Sequence, residues 1–327
     1  MPAERPLVEV EGLSLSVQID GCRVPAVSDV SFQLHPGRVL ALVGESGCGK
    51  SLTAQALLRL GEYQGVRREA GDIRLEGRSI FDFDAGALRR MRGGKLAMIF
   101  QEPMTALNPV FTIESQICDV IRNHLALPRA AARARAVELL RSVELPEAEA
   151  LLGKYPGELS GGMRQRVLIA MALAADAPCL IADEPTTALD VSVQKAILQL
   201  LRGLQRSRNL ALLLVTHDFG VVAELADEVA VMYAGEIVEQ GGVREIFDRP
   251  AHPYTRALLG CRPERAARDA PLPVIDGVVP PPGAWPAGCR FAPRCPRADD
   301  PCRAGPVALE GGAHVVRCLH PGEDAAP

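Results

Sequence analysis

Gly44-Glu45-Ser46-Gly47-Cys48-Gly49-Lys50-Ser51 fits the spacing G-x-x-x-x-G-K-[ST]. Such a loop turns its backbone N–H groups toward a phosphate chain at the positive end of a helix. Lys50 is placed to reach the β- and γ-phosphates, and the Ser51 hydroxyl to bind Mg²⁺. Cys179-Leu180-Ile181-Ala182-Asp183-Glu184 is an apolar run ending in two carboxylates. Asp183 is placed to hold Mg²⁺ through water, and Glu184 to orient or deprotonate an attacking water. Upstream, Leu159-Ser160-Gly161-Gly162-Met163-Arg164-Gln165-Arg166 opens a helix with a hydroxyl and two glycines, a second anion site at a helix start. One nucleotide does not need two such sites from one subunit, so the second is expected to close over a nucleotide held by another subunit.

The elements that must position these residues are legible in outline. Arg38 to Val43 reads as a short apolar strand before the loop, and Leu52 to Leu60 as the helix after it. Residues 7–43 alternate as β-structure, with turns at Asp20-Gly21 and His35-Pro36-Gly37, and Gly71–Ile80 reads as a strand pair turning at Gly77. An antiparallel β lobe is therefore expected beside the loop. From about 105 to 175, Ala, Leu, Arg and Glu recur at helical spacing, which predicts an inserted helical subdomain. Leu180–Ala182, Leu210–Thr216 and Val229–Met232 are buried strands, with a helix over Val193–Ser207. Beyond Gly260, Pro, Gly, Arg and Cys dominate and periodicity vanishes, so a boundary is placed near 262. The expected architecture is α/β: a P-loop NTPase domain over 1–262 and a small, loop-rich unit over 263–327.

Bulk properties narrow the class. The 327 residues, 48% of them hydrophobic, allow a sizeable core. A net charge of −4 argues against affinity built on nucleic-acid phosphates. No leader-like segment opens the chain, and runs such as Leu210–Val215 are too short to span a bilayer. A cytosolic location is expected, where the nine cysteines are reduced thiols.

From residue 7 to its C-terminus the chain resembles the ATP-binding subunits of ABC transporters. Ser160-Gly161-Gly162-Met163-Arg164-Gln165 resembles the family signature, which contacts a partner's ATP, and Ala188-Leu189-Asp190 the D-loop. Gln101 resembles the Q-loop glutamine that touches Mg²⁺, and His217 the switch histidine at the γ-phosphate. The resemblance implies ATP bound by Gly44 to Leu52, hydrolysis carried by Glu184 with His217 and Gln101, and Mg²⁺ held by Ser51, Gln101 and Asp183. It further implies a head-to-tail dimer in which two ATPs are sandwiched.

Phe100-Gln101-Glu102-Pro103-Met104-Thr105-Ala106-Leu107-Asn108-Pro109, Met232 to Glu239 and Ala251-His252-Pro253-Tyr254-Thr255-Arg256-Ala257-Leu258-Leu259 resemble the oligopeptide/dipeptide importer ATPases. The implied partners are a second ATPase subunit, two membrane permeases and an extracytoplasmic substrate-binding protein, with no nucleic acid. The implied place is peripheral, at the cytoplasmic face of the cell membrane. The alternative is an ATPase serving a nickel, glutathione or other small-solute importer, and a soluble ABC ATPase of DNA repair or translation stands further off.

Three features depart from or extend the pattern. Where the family has an aromatic platform for adenine, this chain has Val17. Base–aromatic stacking is worth roughly 1–3 kcal/mol, so weak discrimination of ATP over GTP is expected. Cys48, beside Lys50 at a helix start, is expected to be a small tolerated residue; a lowered pKa and oxidant sensitivity form the sharper expectation. Cys289, Cys295, Cys302 and Cys318 are spaced C-x5-C-x6-C-x15-C, wider than the knuckles zinc prefers and compatible with an iron–sulfur cluster. The tail resembles that of the peptide-importer ATPases, where such cysteines can hold a [4Fe–4S] cluster; zinc and no metal stay open beside it.

Overall fold

In the computed structural model, residues 5–101, 106–187, 189–262 and 274–322 are described. The chain forms two units, each discontinuous in sequence: one gathers residues 1–7, 35–38 and 82–214, the other 8–34, 39–81 and 215–327. The described residues beyond 262 thus belong to the unit that carries the phosphate loop.

In that second unit, β1 (Val8–Ile19) and β2 (Cys22–Leu34) form a hairpin, and Asp20 (φ 49°) and Gly21 (φ 78°) both take the left-handed conformation of a two-residue turn. Such a turn matches the twist of its strands, which is why Asp-Gly marks it. With β4 (Arg67–Leu75) and β5 (Arg78–Ser79) the order is β2-β1-β4-β5, all antiparallel. Val8, Val10, Leu13 and Leu15 are buried, as are Val27, Val30, Phe32 and Leu34 across the pair, so one face of the lobe is core.

The same unit holds β3 (Val39–Val43), every residue of it buried, parallel to β9 (Glu228–Tyr233). A strand covered on both faces reads as an unbroken apolar run rather than an alternation. Asp227 Oδ2 accepts from Val39 N at 2.8 Å and fixes where the pairing starts. β10 (Glu236–Gly242) runs antiparallel to β9, and the short β11 (Glu310–Gly311) and β12 (Val315–Val316) extend that edge. The cysteine-bearing tail thereby gives its own strand to the sheet. Otherwise its described part is loop-rich, with one short helix, Asp300–Ala304.

In the first unit, β6 (Leu96–Ile99) lies parallel to β7 (Cys179–Asp183). Helices cover Ile113–Leu125, Arg129–Ser142 and Ala148–Leu152, as the helical spacing predicts. Thr112 caps the first of them, accepting from Ser115 N, and Ile113, Ile117 and Ile121 form its buried stripe. The helix Gly161–Ala172 follows, then Val191–Arg208, which ends at Asn209 in the left-handed conformation (φ 52°).

One local expectation shifts. The helix after the phosphate loop is shorter than expected, Lys50–Ala56 rather than Leu52–Leu60, because Arg59 turns left-handed (φ 53°) and pairs with Glu62 at 2.7 Å. The four-residue β6 carries too little pattern to be read in advance.

Candidate functional site

The phosphate loop needs three backbone conformations that only glycine adopts freely. Gly44 (φ 153°), Gly47 (φ 79°) and Gly49 (φ 104°) all lie at positive φ. A Cβ on Gly44 would also fall 2.1 Å from the Met232 carbonyl oxygen, so a side chain there is excluded twice over. Lys50 is 5% exposed, and its Nζ donates to the carbonyl oxygens of Gly44 (2.8 Å) and Glu45 (2.9 Å). An ammonium tethered across the loop opening is placed to exchange those carbonyls for phosphate oxygens.

Cys48 corrects one expectation. Its thiol is 1% exposed and lies 3.7 Å from Lys50 Nζ, yet burial outweighs the lysine and pushes its pKa up. A buried, protonated thiol is not the oxidant-sensitive thiolate that a helix start alone would suggest.

The loop is held from residues far away in sequence. Glu45 N donates to the Tyr254 hydroxyl at 2.9 Å. Gly235 N, in the turn between β9 and β10, donates to Cys48 O at 2.9 Å. The Glu45 carboxylate takes both arms of Arg294, at 2.8 and 3.0 Å. The stretch Ala251–Leu259 reads in sequence only as a family mark with an ordinary helix start. In the fold His252 caps the helix Pro253–Gly260 through Nδ1, accepting from Tyr254 N at 3.0 Å, and so sets Tyr254 under the loop. Tyr254 packs with Tyr233 (4.5 Å between ring centres) and Phe291 (5.3 Å) in a fully buried aromatic group.

In the first unit, Asp183 closes β7 and is 2% exposed. Glu184 follows in a strained left-handed conformation (φ 46°). Its Oε2 accepts from Gln101 Nε2 at 3.0 Å and Thr187 Oγ1 at 2.9 Å, so two of the predicted residues, Gln101 and Glu184, are brought together. His217, in the second unit, is exposed at the end of β8 (Ala211–Thr216), where Asp218 caps the next helix by accepting from Gly220 N at 2.7 Å.

Ser160 caps the helix Gly161–Ala172, its Oγ accepting from Met163 N at 3.3 Å. A Cβ on Gly162 would meet Val193 Cγ1 at 2.8 Å, so this glycine answers a close approach of two helices. Gln165 departs from the expectation: it is 1% exposed, and its amide N and O find no hydrogen-bond partner among the described residues. Its side chain is turned into the fold, whereas touching a partner's nucleotide requires an outward one. Asp190 Oδ1 accepts from Val193 N at 2.9 Å, which makes it the cap of the helix Val191–Arg208. Ala188 of the D-loop and residues 102–105 of the Q-loop stretch lie outside the described residues.

Cys289, Cys295, Cys302 and Cys318 line a single cavity together with His252 and Phe291. Burial raises the thiol pKa values of Cys302 and Cys318, and pushes Cys289 up to about 11. The tightest possible ligand group among the described residues is Asp299, Cys302 and His320, whose donor atoms lie within 4.8 Å of one another. Asp299 and His320 already bond at 2.7 Å, and Cys302 N donates to Asp299 at 3.1 Å. No three of the four thiols meet that spacing. Tetrahedral zinc, with bonds of about 2.3 Å, draws its thiolates to about 3.8 Å apart. His252 is 1% exposed, and with Nδ1 accepting, its neutral ring carries the proton on Nε2. That Nε2 makes no hydrogen bond of good geometry among the described residues; burial holds the ring's pKa down at about 3 against a small upward pull from the Arg317 backbone.

Two family models match the chain: "ABC transporter" over residues 27–187, and "Oligopeptide/dipeptide transporter, C-terminal region" over 238–302. A protein of Brucella abortus (strain 2308) described as a peptide import ATP-binding protein is 47% identical over 314 residues, covering 96% of this chain and 94% of its own length. A second protein of that strain and description is 46% identical over 337 residues, covering 99% of this chain and all of its own. Among solved structures, the dimeric bacterial ABC transporter cassette MJ0796 is similar at a TM-score of 0.64 and 27% identity, over 72% of this chain and 99% of that one. The same cassette bound to ADP and Pi matches equally. So does cbiO1 of Clostridium perfringens, part of the cbiONQ transporter complex, over 75% of this chain and 91% of that one.

Proposed function

Because the chain belongs to the ABC transporter ATPases, of the subgroup with the oligopeptide/dipeptide C-terminal region, we propose that it hydrolyses ATP to drive import of short peptides. The observation that carries the reading is the phosphate loop, with three glycines at positive φ and Lys50 tethered across its opening. Glu184, oriented by Gln101 and Thr187, is the general base or water-orienting group. Ser51, Gln101 and Asp183 offer the hard oxygen donors that suit Mg²⁺, which would supply charge neutralisation on the phosphates. Ser160, Gly161 and Gly162 open an exposed, capped helix start suited to a partner's ATP, which supports a head-to-tail dimer with a second ATPase.

Among the described residues no helix is long and apolar enough to cross a membrane. The working place we propose is peripheral, on two permease subunits fed by an extracytoplasmic substrate-binding protein. The test is reconstitution of the chain with its permeases in vesicles: uptake of labelled di- or oligopeptide should require ATP and stop in Lys50→Ala. Uptake of nickel or glutathione but not peptide would move the substrate to the alternative.

Four converging thiols and a buried imidazole N–H at one cavity fit an iron–sulfur cluster better than a single zinc ion. Cys289, Cys295, Cys302 and Cys318 would hold it, and it would supply folding energy to a tail with little core of its own. Anaerobically purified protein should absorb in the visible range and lose that band in Cys295→Ser. Stoichiometric zinc without visible absorbance overturns the assignment.

A further inference from the structure

Glu45 sets a problem for a loop that has to receive a polyphosphate: it is an acid at the second position of the anion cradle. An unopposed carboxylate there repels the ligand and competes with it for Lys50. The fold answers with Arg294, whose side chain is only 3% exposed and forms a two-armed pair with Glu45. Of the remaining guanidinium hydrogens, Nε donates to Asp276 O at 2.8 Å, Nη2 to Ile275 O at 3.1 Å and Nη1 to the Tyr233 hydroxyl at 3.4 Å. The fork is therefore held by partners other than Glu45 as well, and Phe291 and Tyr233 wall it in at 5.9 and 5.8 Å from their ring centres. The Glu45 backbone is pinned separately, by Tyr254.

We propose that Arg294 is a positioning residue for ATP: from the C-terminal region it cancels the Glu45 charge and holds that side chain aside, so that the phosphate loop can take the anion. This rests on the reading of residues 44–51 as the ATP loop. By Coulomb's law at an effective dielectric of about 20, one uncancelled charge about 12 Å from a phosphate charge is worth about tenfold in affinity.

The experiment is a double-mutant cycle on the full chain, reading the dissociation constant of Mg-ATP by calorimetry, with melting temperature and visible spectrum recorded alongside. Arg294→Gln should weaken binding about tenfold, and adding Glu45→Gln to it should recover at least threefold of that loss. A merely structural pair would move melting temperature and binding together through the cycle, whereas charge relief at the loop recovers binding without a matching recovery of melting temperature. Should Arg294→Gln fail to fold, Arg294→Lys keeps the charge but not the fork and should weaken binding about threefold in protein that stays folded. Binding within twofold of the parent in the folded Arg294 variant, or no recovery from Glu45→Gln, overturns the proposal. Undiminished binding in Lys50→Ala would instead overturn the reading of the loop itself.

Discussion

Two segments of the chain are proposed to meet phosphate, and they are built differently. The loop Gly44–Ser51 stores three left-handed glycines, a tethered lysine, and bonds from Tyr254, Gly235 and Arg294, residues about 190 to 250 positions away. The helix start at Ser160 has one side-chain cap and two glycines whose φ is not positive. One segment is pre-organised, so little ordering remains to be done when the ligand comes. The other is an ordinary exposed N-terminus, and one of its glycines, Gly162, serves close approach rather than strain. A site that must hold a ligand alone needs the first design, while a surface that completes a partner's site can use the second.

The comparison can be broken by experiment. The largest effect belongs to Lys50→Ala, which should lower ATP affinity of the isolated chain by about a hundredfold or more, measured with a fluorescent nucleotide; a smaller loss would mean the backbone cradle suffices. Glu184→Gln should lower turnover by about a hundredfold while ATP stays bound and the dimer stays closed, read by phosphate release and sedimentation. Near-normal turnover would remove Glu184 from the chemistry. Ser160→Ala should cost about tenfold in turnover of the dimer yet leave ATP binding by the isolated chain unchanged. A parallel loss of binding would show that the two segments are not separate in function. The smallest effect concerns the base: with Val17 in place of a ring, ATP should outcompete GTP by less than about tenfold.

What could be read from sequence was whatever is local. Asp20-Gly21 announces its hairpin because two left-handed residues must sit there, and β3 announces itself as five apolar residues running into glycine. The cap at Ser160 and the carboxylates at the end of β7 follow from short-range rules as well. The long-range pairings were not legible. Nothing near Glu45 says that Arg294 will neutralise it, and nothing in His252-Pro253-Tyr254 says that the tyrosine will hold a loop more than two hundred residues upstream. Gln165 fails for a related reason: its motif suggests an outward role, while its turn of the helix faces the interior. Cys48 misleads because spacing shows the nearby lysine and hides the burial that overrides it.

The Glu45–Arg294 pair also sets an order of events in time. The two residues are 249 positions apart, so during synthesis the phosphate loop emerges long before the arginine that completes it. A nascent chain stalled between residues 217 and 294 would carry the nucleotide motifs of this chain and, with Arg294 acting as proposed, bind ATP about tenfold more weakly. Prematurely ended copies would then compete weakly for ATP.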